Sequence, residues 1–230
     1  MSASHPSAGD LPRGSSILSN RLKEAARGFL APLVRLASRL GITPNGVTVI
    51  GFFVVVVAAG LVAAGHLLTG AAVLVAGSLL DAVDGALARA TGGSTTFGSF
   101  LDSTLDRAAE AILYVAIVAY FLGFNADPLG PVLLTLTALC GSFMVSYTRA
   151  KAEAIGVSAS VGLAPRTERL VLIVAGIALA GIGIEIGLIG AIGIIAALAA
   201  ATTVQRIWHV RRQVIELPAA ASTADVTQER

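Results

Sequence analysis

Four aspartates form two pairs on neighbouring apolar segments of the sequence. Asp81 and Asp84 are three residues apart and Asp102 and Asp106 are four apart, so each pair shares one face of a helix. The connection between the two segments, GGSTTFG, is short enough to make the two helices antiparallel neighbours. We therefore predict that the carboxylates converge on one site at one end of a helical bundle.

A cluster of carboxylates within apolar helices indicates a bound cation, because a single charge in a membrane costs roughly 2.5–3.5 kcal/mol on insertion scales. Oxygen ligands without a neighbouring His or Cys favour Mg²⁺, with Mn²⁺ as a substitute. Two such ions beside a phosphate would stabilise the attacking and leaving oxygens of a displacement at phosphorus. Arg89, one turn beyond Gly85, is placed to pair with a phosphate or an aspartate. The spacing alone leaves a cation or proton path in a transporter as an alternative.

The composition is typical of a membrane protein. Of the 230 residues only 13% are charged, about half the share in a soluble domain. Six apolar spans approach the ~20 residues that a helix needs to cross a ~30 Å hydrocarbon core, at about 46–66, 69–90, 98–122, 131–152, 166–184 and 186–208. We predict an all-α integral membrane protein with six transmembrane helices. The boundary between the last two spans is weak, so five spans with a re-entrant end is the alternative. The single Cys140 excludes a disulfide framework within one chain.

The positive charges predict the orientation in the membrane. Segment 17–42 is basic and amphipathic, which is typical of a juxtamembrane helix on the membrane surface. When this helix is cytoplasmic, the outer loops contain no Lys or Arg, so both termini are predicted in the cytoplasm of a cell-membrane protein. This charge pattern does not indicate nucleic-acid binding. The predicted organisation is a disordered tail without a cleavable signal peptide, the surface helix, a six-helix domain and a disordered tail, over 1–16, 17–42, 43–213 and 214–230.

The acidic segment resembles a known family. One string matches, position for position, the signature of the CDP-alcohol phosphatidyltransferases: Asp81-x2-Asp84-Gly85-x2-Ala88-Arg89-x8-Gly98-x3-Asp102-x3-Asp106. The surface helix, the Thr-Pro-Asn entry at 43–45 and the number of spans are also similar, over roughly residues 20–210. The resemblance implies an enzyme, commonly a homodimer, that moves a phospho-lipid group from a CDP-linked lipid to an alcohol. A transporter and a non-catalytic lipid-binding protein become remote alternatives.

The resemblance also implies residue roles. Asp81, Asp84 and Asp102 would be metal ligands, and Asp106 would lie near the metals and act as the general base for the acceptor hydroxyl. The oxygen would then attack the phosphorus next to the lipid, and CMP would leave. The implied contacts to the CDP group are Pro44, Asn45, Gly46, Thr48, Gly85, Arg89 and Thr95. For the two threonines, ordinary hydroxyls that cap or bond within a helix are the alternative.

Basic residues at the cytoplasmic ends of the later spans predict the acceptor. A phosphate attracts forked and point-charge donors, and the candidates are Ser146, Arg149, Lys151, Arg166, Arg169 and Arg206. Anchoring to anionic lipid headgroups is the alternative for these basic residues. The string from Ser146 to Glu153 is similar to the family branch that uses inositol phosphate, with CDP-diacylglycerol or CDP-archaeol as donor. The order Arg149 then Lys151 departs from the bacterial pattern, and glycerol-3-phosphate is the alternative acceptor.

Overall fold

The structure is a computed structural model of the chain. It describes residues 32, 34–35, 39–91, 95–159, 161–162 and 165–228; at 88–91 and 216–228 it describes the backbone only. The predicted tail at 1–16 and most of the predicted surface helix at 17–42 lie outside the described residues. Within the surface segment, residues 32, 34, 35 and 39 are helical, and Val34 packs on a small buried cluster that contains Val47, Val83 and Leu87.

Beyond the helical residues of the surface segment, the described chain contains six helices and no strand, which confirms the all-α class. The helices are α1 (Pro44–Ala63), α2 (Leu67–Thr91), α3 (Thr96–Phe124), α4 (Leu129–Ala154), α5 (Arg166–Gly181) and α6 (Glu185–Gln228). Five of them are long and apolar enough to cross a membrane: all except α5. These five correspond to the predicted spans other than 166–184.

Helix α5 is the short member of the bundle. Its 16 residues rise about 24 Å, less than the ~30 Å of a typical hydrocarbon core. The helix ends at Gly181, and Gly183 adopts a φ of +91° in the turn that precedes α6. The predicted boundary between the last two spans is therefore present, but the fifth helix stops three residues before the predicted end at 184.

The helices pack closely around one apolar core. Helix α1 contacts α2 and α3, α4 contacts α3 and α6, and α5 contacts α2 and α6. Small residues permit this proximity: a Cβ added to Gly176 on α5 would lie 2.8 Å from the Cβ of Ala191 on α6. Tyr114 on α3 is fully buried, and its hydroxyl lies 3.1 Å from that of Ser142 on α4. This packing fixes which faces of α2, α3 and α5 meet at the acidic residues.

Helix α6 extends beyond its predicted span. Its backbone is helical to Gln228, whereas a disordered tail was predicted over 214–230. The three consecutive alanines at 219–221 are strong helix formers and are consistent with this extension. The start of α1 follows the sequence closely: Thr43 caps the helix by accepting a hydrogen bond from the Gly46 amide at 3.2 Å, and Pro44 is its first residue.

Candidate active site

Three of the four aspartates converge at one end of the bundle. Asp81 on α2 and Asp102 and Asp106 on α3 are half-buried, and each offers a carboxylate oxygen within 4.8 Å of the other two. Carboxylate oxygens at this separation are a suitable ligand set for a hard divalent cation. The spacing predicted that all four carboxylates converge, and the structure brings three of them, Asp81, Asp102 and Asp106, into one close group.

The fourth aspartate, Asp84, has a different environment. It is 7% exposed and is not part of the close group of oxygens. Its Oδ2 lies 2.7 Å from Thr48 Oγ1, which donates to it from α1, while the same hydroxyl lies 3.1 Å from the Pro44 carbonyl. Since a hydroxyl has one proton, the shorter contact to the charged acceptor is the stronger one. Thr48, predicted to contact CDP, therefore joins α1 to the acidic end of α2.

Arg166 reaches the converged aspartates from the first position of α5. Its Nη1 donates to Asp81 Oδ2 at 3.0 Å, and its Nη2 lies 2.7 Å from Asp106 Oδ1. The guanidinium of Arg166 therefore links α5 to carboxylates of two earlier helices, α2 and α3. Arg166 was predicted to bind the acceptor phosphate, and the structure brings it to the acidic group, with 28% of its side chain exposed.

A second group of charges lies next to Asp106, and two of its members were not predicted as site residues. Arg169 donates hydrogen bonds of 3.0 and 3.1 Å to Glu110 Oε1 and one of 3.3 Å to Glu110 Oε2. Arg107 donates to the Ser146 hydroxyl and lies 3.6 Å from Asp106 and 3.9 Å from Glu110. The missed residues are Arg107 and Glu110. A signal was present, because Glu110 is four residues after Asp106 and therefore shares its helix face.

The other predicted acceptor residues lie in two settings. Arg149 and Lys151 are exposed at the end of α4, where Arg149 pairs with Glu153 at 2.8 Å. Arg206 on α6 is 7% exposed and donates to the backbone carbonyls of Val161, at 2.8 Å, and Val145. Arg206 therefore ties the segment between α4 and α5 to α6.

The predicted CDP contacts lie at the entry to α1, on α2 and at the start of α3. Thr95 caps α3 by accepting from the Gly98 amide at 2.9 Å, as the alternative for that residue anticipated. A Cβ added to Gly98 would lie 2.8 Å from Asn45 Oδ1, so the two helix starts touch through this glycine. Gly85 is half-buried on α2, and the side chain of Arg89 is outside the described part of the chain.

A cleft of about 680 Å³, its open mouth included, runs from these charges into the bundle between α1, α2, α3 and α5. Its polar lining comprises Thr48, Ser78, Asp81, Asp106, Glu110 and Arg166. Its apolar lining includes Phe52, Val55, Leu74, Leu113 and Ile173. A cleft with charges at one end and apolar walls suits a ligand that carries both a phosphate and an apolar part.

The fold and the acidic site define a class of protein. Residues 41–208 match the model of the CDP-alcohol phosphatidyltransferase family, and the chain belongs to that family. It is therefore a transferase, as the resemblance of the acidic string implied, and a multi-pass membrane protein, as the apolar spans predicted.

Individual relatives are similar over most of their length. The chain is 39% identical over 201 residues to the archaetidylinositol phosphate synthase of Methanothermobacter thermautotrophicus, covering 87% of this chain and 97% of the relative. It is 38% identical over 182 residues to the phosphatidylinositol phosphate synthase of Mycobacteroides abscessus, covering 78% and 82%. Crystal structures of the Mycobacterium tuberculosis phosphatidylinositol phosphate synthase superpose with a TM-score of 0.73 at 32% identity. The one with CDP-DAG bound covers 79% of this chain and 92% of that chain, and the one in complex with manganese and citrate covers 79% and 88%.

Proposed function

We propose that the protein transfers a phosphatidyl or archaetidyl group from a CDP-linked lipid to the hydroxyl of inositol phosphate and releases CMP. The observation that carries the proposal is the convergence of Asp81, Asp102 and Asp106. Arg166 bridges Asp81 and Asp106 at the mouth of a cleft with apolar walls. The names of the relatives support inositol phosphate over glycerol-3-phosphate as acceptor. The relative with CDP-DAG bound supports the donor.

The acidic residues support a metal site for two ions, Mg²⁺ with Mn²⁺ as a substitute. Asp81, Asp102 and Asp106 would supply oxygens from their converged group, and Asp84 would complete the set from the adjacent turn of α2. The manganese complex of the Mycobacterium tuberculosis relative supports a divalent ion. Bound ions of this kind would stabilise the charge that develops on the phosphate oxygens.

The side chains of the site have separate tasks in the proposed reaction. The Asp106 carboxylate takes the proton of the acceptor hydroxyl. The acceptor oxygen forms a bond to the phosphorus next to the lipid as the bond from that phosphorus to the CMP oxygen breaks, and CMP leaves with the electron pair. The CDP group would be held at the helix entries by Pro44, Asn45, Gly46, Thr48, Gly85, Arg89 and Thr95.

The acceptor phosphate would bind beside the acidic group. Arg166 is the primary candidate because it faces the cleft with part of its guanidinium side chain exposed. Ser146, beside Arg107, and the exposed Arg149 and Lys151 would complete the phosphate site from α4. Arg169 and Arg206 belong to the same basic group, and both are engaged with protein atoms, which supports an indirect contribution.

An acceptor panel tests the function. Purified protein in lipid would be supplied with radiolabelled CDP-diacylglycerol, Mg²⁺, and inositol phosphate, glycerol-3-phosphate or free inositol. We expect CMP release and a labelled lipid product with inositol phosphate. Turnover with glycerol-3-phosphate and none with inositol phosphate would refute the acceptor assignment. CDP-lipid binding without CMP release with any acceptor would indicate a non-catalytic binding protein, and cation flux in liposomes without CDP-lipid would indicate a transporter.

We also propose six membrane spans, α5 included, with the surface helix and both termini on the cytoplasmic side of the cell membrane, and assembly as a homodimer. The exposed Asp127, between α3 and α4, is a suitable reporter of the outer side. Because Cys140 is also exposed, the background should be Cys140→Ser. Asp127→Cys in that background should react with an impermeant thiol reagent added outside intact cells. Reaction only after the cells are opened would invert the topology.

A further inference from the structure

The ion pair between Glu110 and Arg169 joins α3 to α5. Arg169 exposes 2% of its side chain and Glu110 exposes 8%. Three nitrogen–oxygen contacts of 3.0 to 3.3 Å join them, and both carboxylate oxygens take part. Neither residue belongs to the converged aspartates, and the steps of the proposed reaction do not use this pair.

The pair is one of two parallel contacts between the same helices. Asp106 and Glu110 are four residues apart on α3, and Arg166 and Arg169 are three apart on α5, so each set shares a helix face. Arg166 Nη2 lies 2.7 Å from Asp106 at the mouth of the cleft, and Arg169 meets Glu110 one turn deeper. The deeper contact is thus directly behind the one at the acidic site.

The pair is not needed simply to hold α5 in the bundle. The following turns of α5 contribute Ile173 and Ile177 to the main apolar core, and Gly176 allows close contact with α6. Replacing a buried ion pair with apolar residues of similar volume is often neutral for stability, so burial of this pair is weak evidence that it stabilises the fold. The first turn of α5 is where arrangement matters, because Pro165 provides no side-chain cap there.

We infer that Glu110 and Arg169 are positioning residues, whose ion pair fixes the first turn of α5 so that Arg166 is presented to the phosphate of the acceptor. This inference rests on the proposed function, in which Arg166 binds that phosphate. Arg166 has 28% of its side chain exposed and can exchange a carboxylate for a phosphate oxygen, whereas the enclosed Arg169 stays with Glu110. Arg107 strengthens the arrangement, because it lies 3.9 Å from Glu110 and 3.6 Å from Asp106.

Steady-state kinetics on a set of variants tests the inference. Arg166→Gln should raise the KM for inositol phosphate about 10- to 100-fold, as expected for a lost charged hydrogen bond. Arg169→Met and the apolar double variant Glu110→Leu/Arg169→Met should raise it by a similar factor. The KM for CDP-lipid should change less than threefold in all of them. Arg169→Lys, which keeps the charge, should recover part of the loss.

The double variant separates positioning from stability, because it removes both charges and leaves neither one buried alone. Tyr114→Phe is the matched control: it removes a polar contact of a buried α3 residue four positions after Glu110, and it should keep the wild-type KM for both substrates. A double variant that is folded and has a wild-type KM for inositol phosphate would overturn the inference. If Arg166→Gln also leaves that KM unchanged, the assigned phosphate contact fails as well. A wild-type protein inactive with every acceptor would refute the proposed function itself.

Discussion

Asp106→Asn tests the proposed base with a nearly isosteric change. The carboxylate exposes 15% of its side chain and lies 2.7 Å from Arg166 and 3.6 Å from Arg107. An amide oxygen can still accept from Arg166, so the local packing should be kept. The substitution removes the negative charge and the capacity to take a proton. It also leaves two of the three converged carboxylates.

The expected loss of turnover has two parts. A positioned general base contributes about 10²- to 10⁴-fold to a rate. The lost charge also weakens the affinity of the remaining carboxylates for a divalent ion, which excess metal can offset. At saturating Mg²⁺ and both saturating substrates, we therefore expect CMP release to fall by about 10²- to 10⁴-fold, while CDP-lipid binding and membrane insertion are kept.

Radiolabelled CMP release should be followed over a Mg²⁺ titration for the variant and the wild type. CDP-lipid binding should be measured on the same preparations, with Asp127→Asn, an exposed loop aspartate, as the control for a lost carboxylate. A turnover within tenfold of wild type at saturating Mg²⁺ would mean that Asp106 acts only as a metal ligand. Loss of CDP-lipid binding would mean that the change disrupts the donor site.

Three further predictions follow from the contacts of the site. Thr48→Val should leave the buried Asp84 without its 2.7 Å hydrogen-bond donor and destabilise the protein by about 1–3 kcal/mol, measured as a lower Tm in detergent. Thr48→Ser keeps the hydroxyl and should retain the wild-type Tm. An unchanged Tm in the valine variant would contradict the contact. Gly98→Ala should weaken CDP-lipid binding, because the new Cβ would lie 2.8 Å from Asn45 Oδ1. Gly123→Ala is the control, because a Cβ added there has no atom within 4 Å. Equal CDP-lipid binding by both variants would contradict a role of the helix entry in binding. Arg166→Gln should tighten Mn²⁺ binding, because it removes a guanidinium cation that is bonded to two candidate metal ligands. Electron paramagnetic resonance without substrates would measure the Mn²⁺ affinity. Weaker Mn²⁺ binding would contradict competition between the guanidinium and the metal.

The convergence of the aspartates was predictable because it depends on local spacing. Residues three or four apart share a helix face, and a short connection makes consecutive helices neighbours, so the spacing predicted that all four aspartates approach one another. Asp81, Asp102 and Asp106 do so, whereas Asp84 lies against Thr48 of α1, a contact that local spacing does not predict. The start of α1 was equally local, with Thr43 as cap and Pro44 as first residue.

The pairings across distant helices were not predictable in the same way. Arg166 meets Asp81 across 85 positions of the sequence, and Arg169 meets Glu110 across 59. The pairing of basic side chains with carboxylates depends on the rotation and depth of α5 relative to α3. The spacing of residues in the sequence predicts neither of them. For this reason the basic residues were predicted as one phosphate-binding group, whereas the structure divides them among aspartates, Glu110, backbone carbonyls and solvent.

The short α5 has a consequence for the surrounding bilayer. In the proposed six-span arrangement its 16 residues leave about 6 Å of hydrocarbon thickness unmatched. Val171, in its second turn, and Ile182, directly after its last residue, are both more than 60% exposed, so in this arrangement both side chains would face neighbouring lipids. A bilayer accommodates such hydrophobic mismatch by thinning locally, at a fraction of a kcal/mol per Å. In the proposed six-span arrangement, such thinning at the Arg166 end of α5 would bring the headgroup of an arriving lipid closer in depth to the acidic cleft.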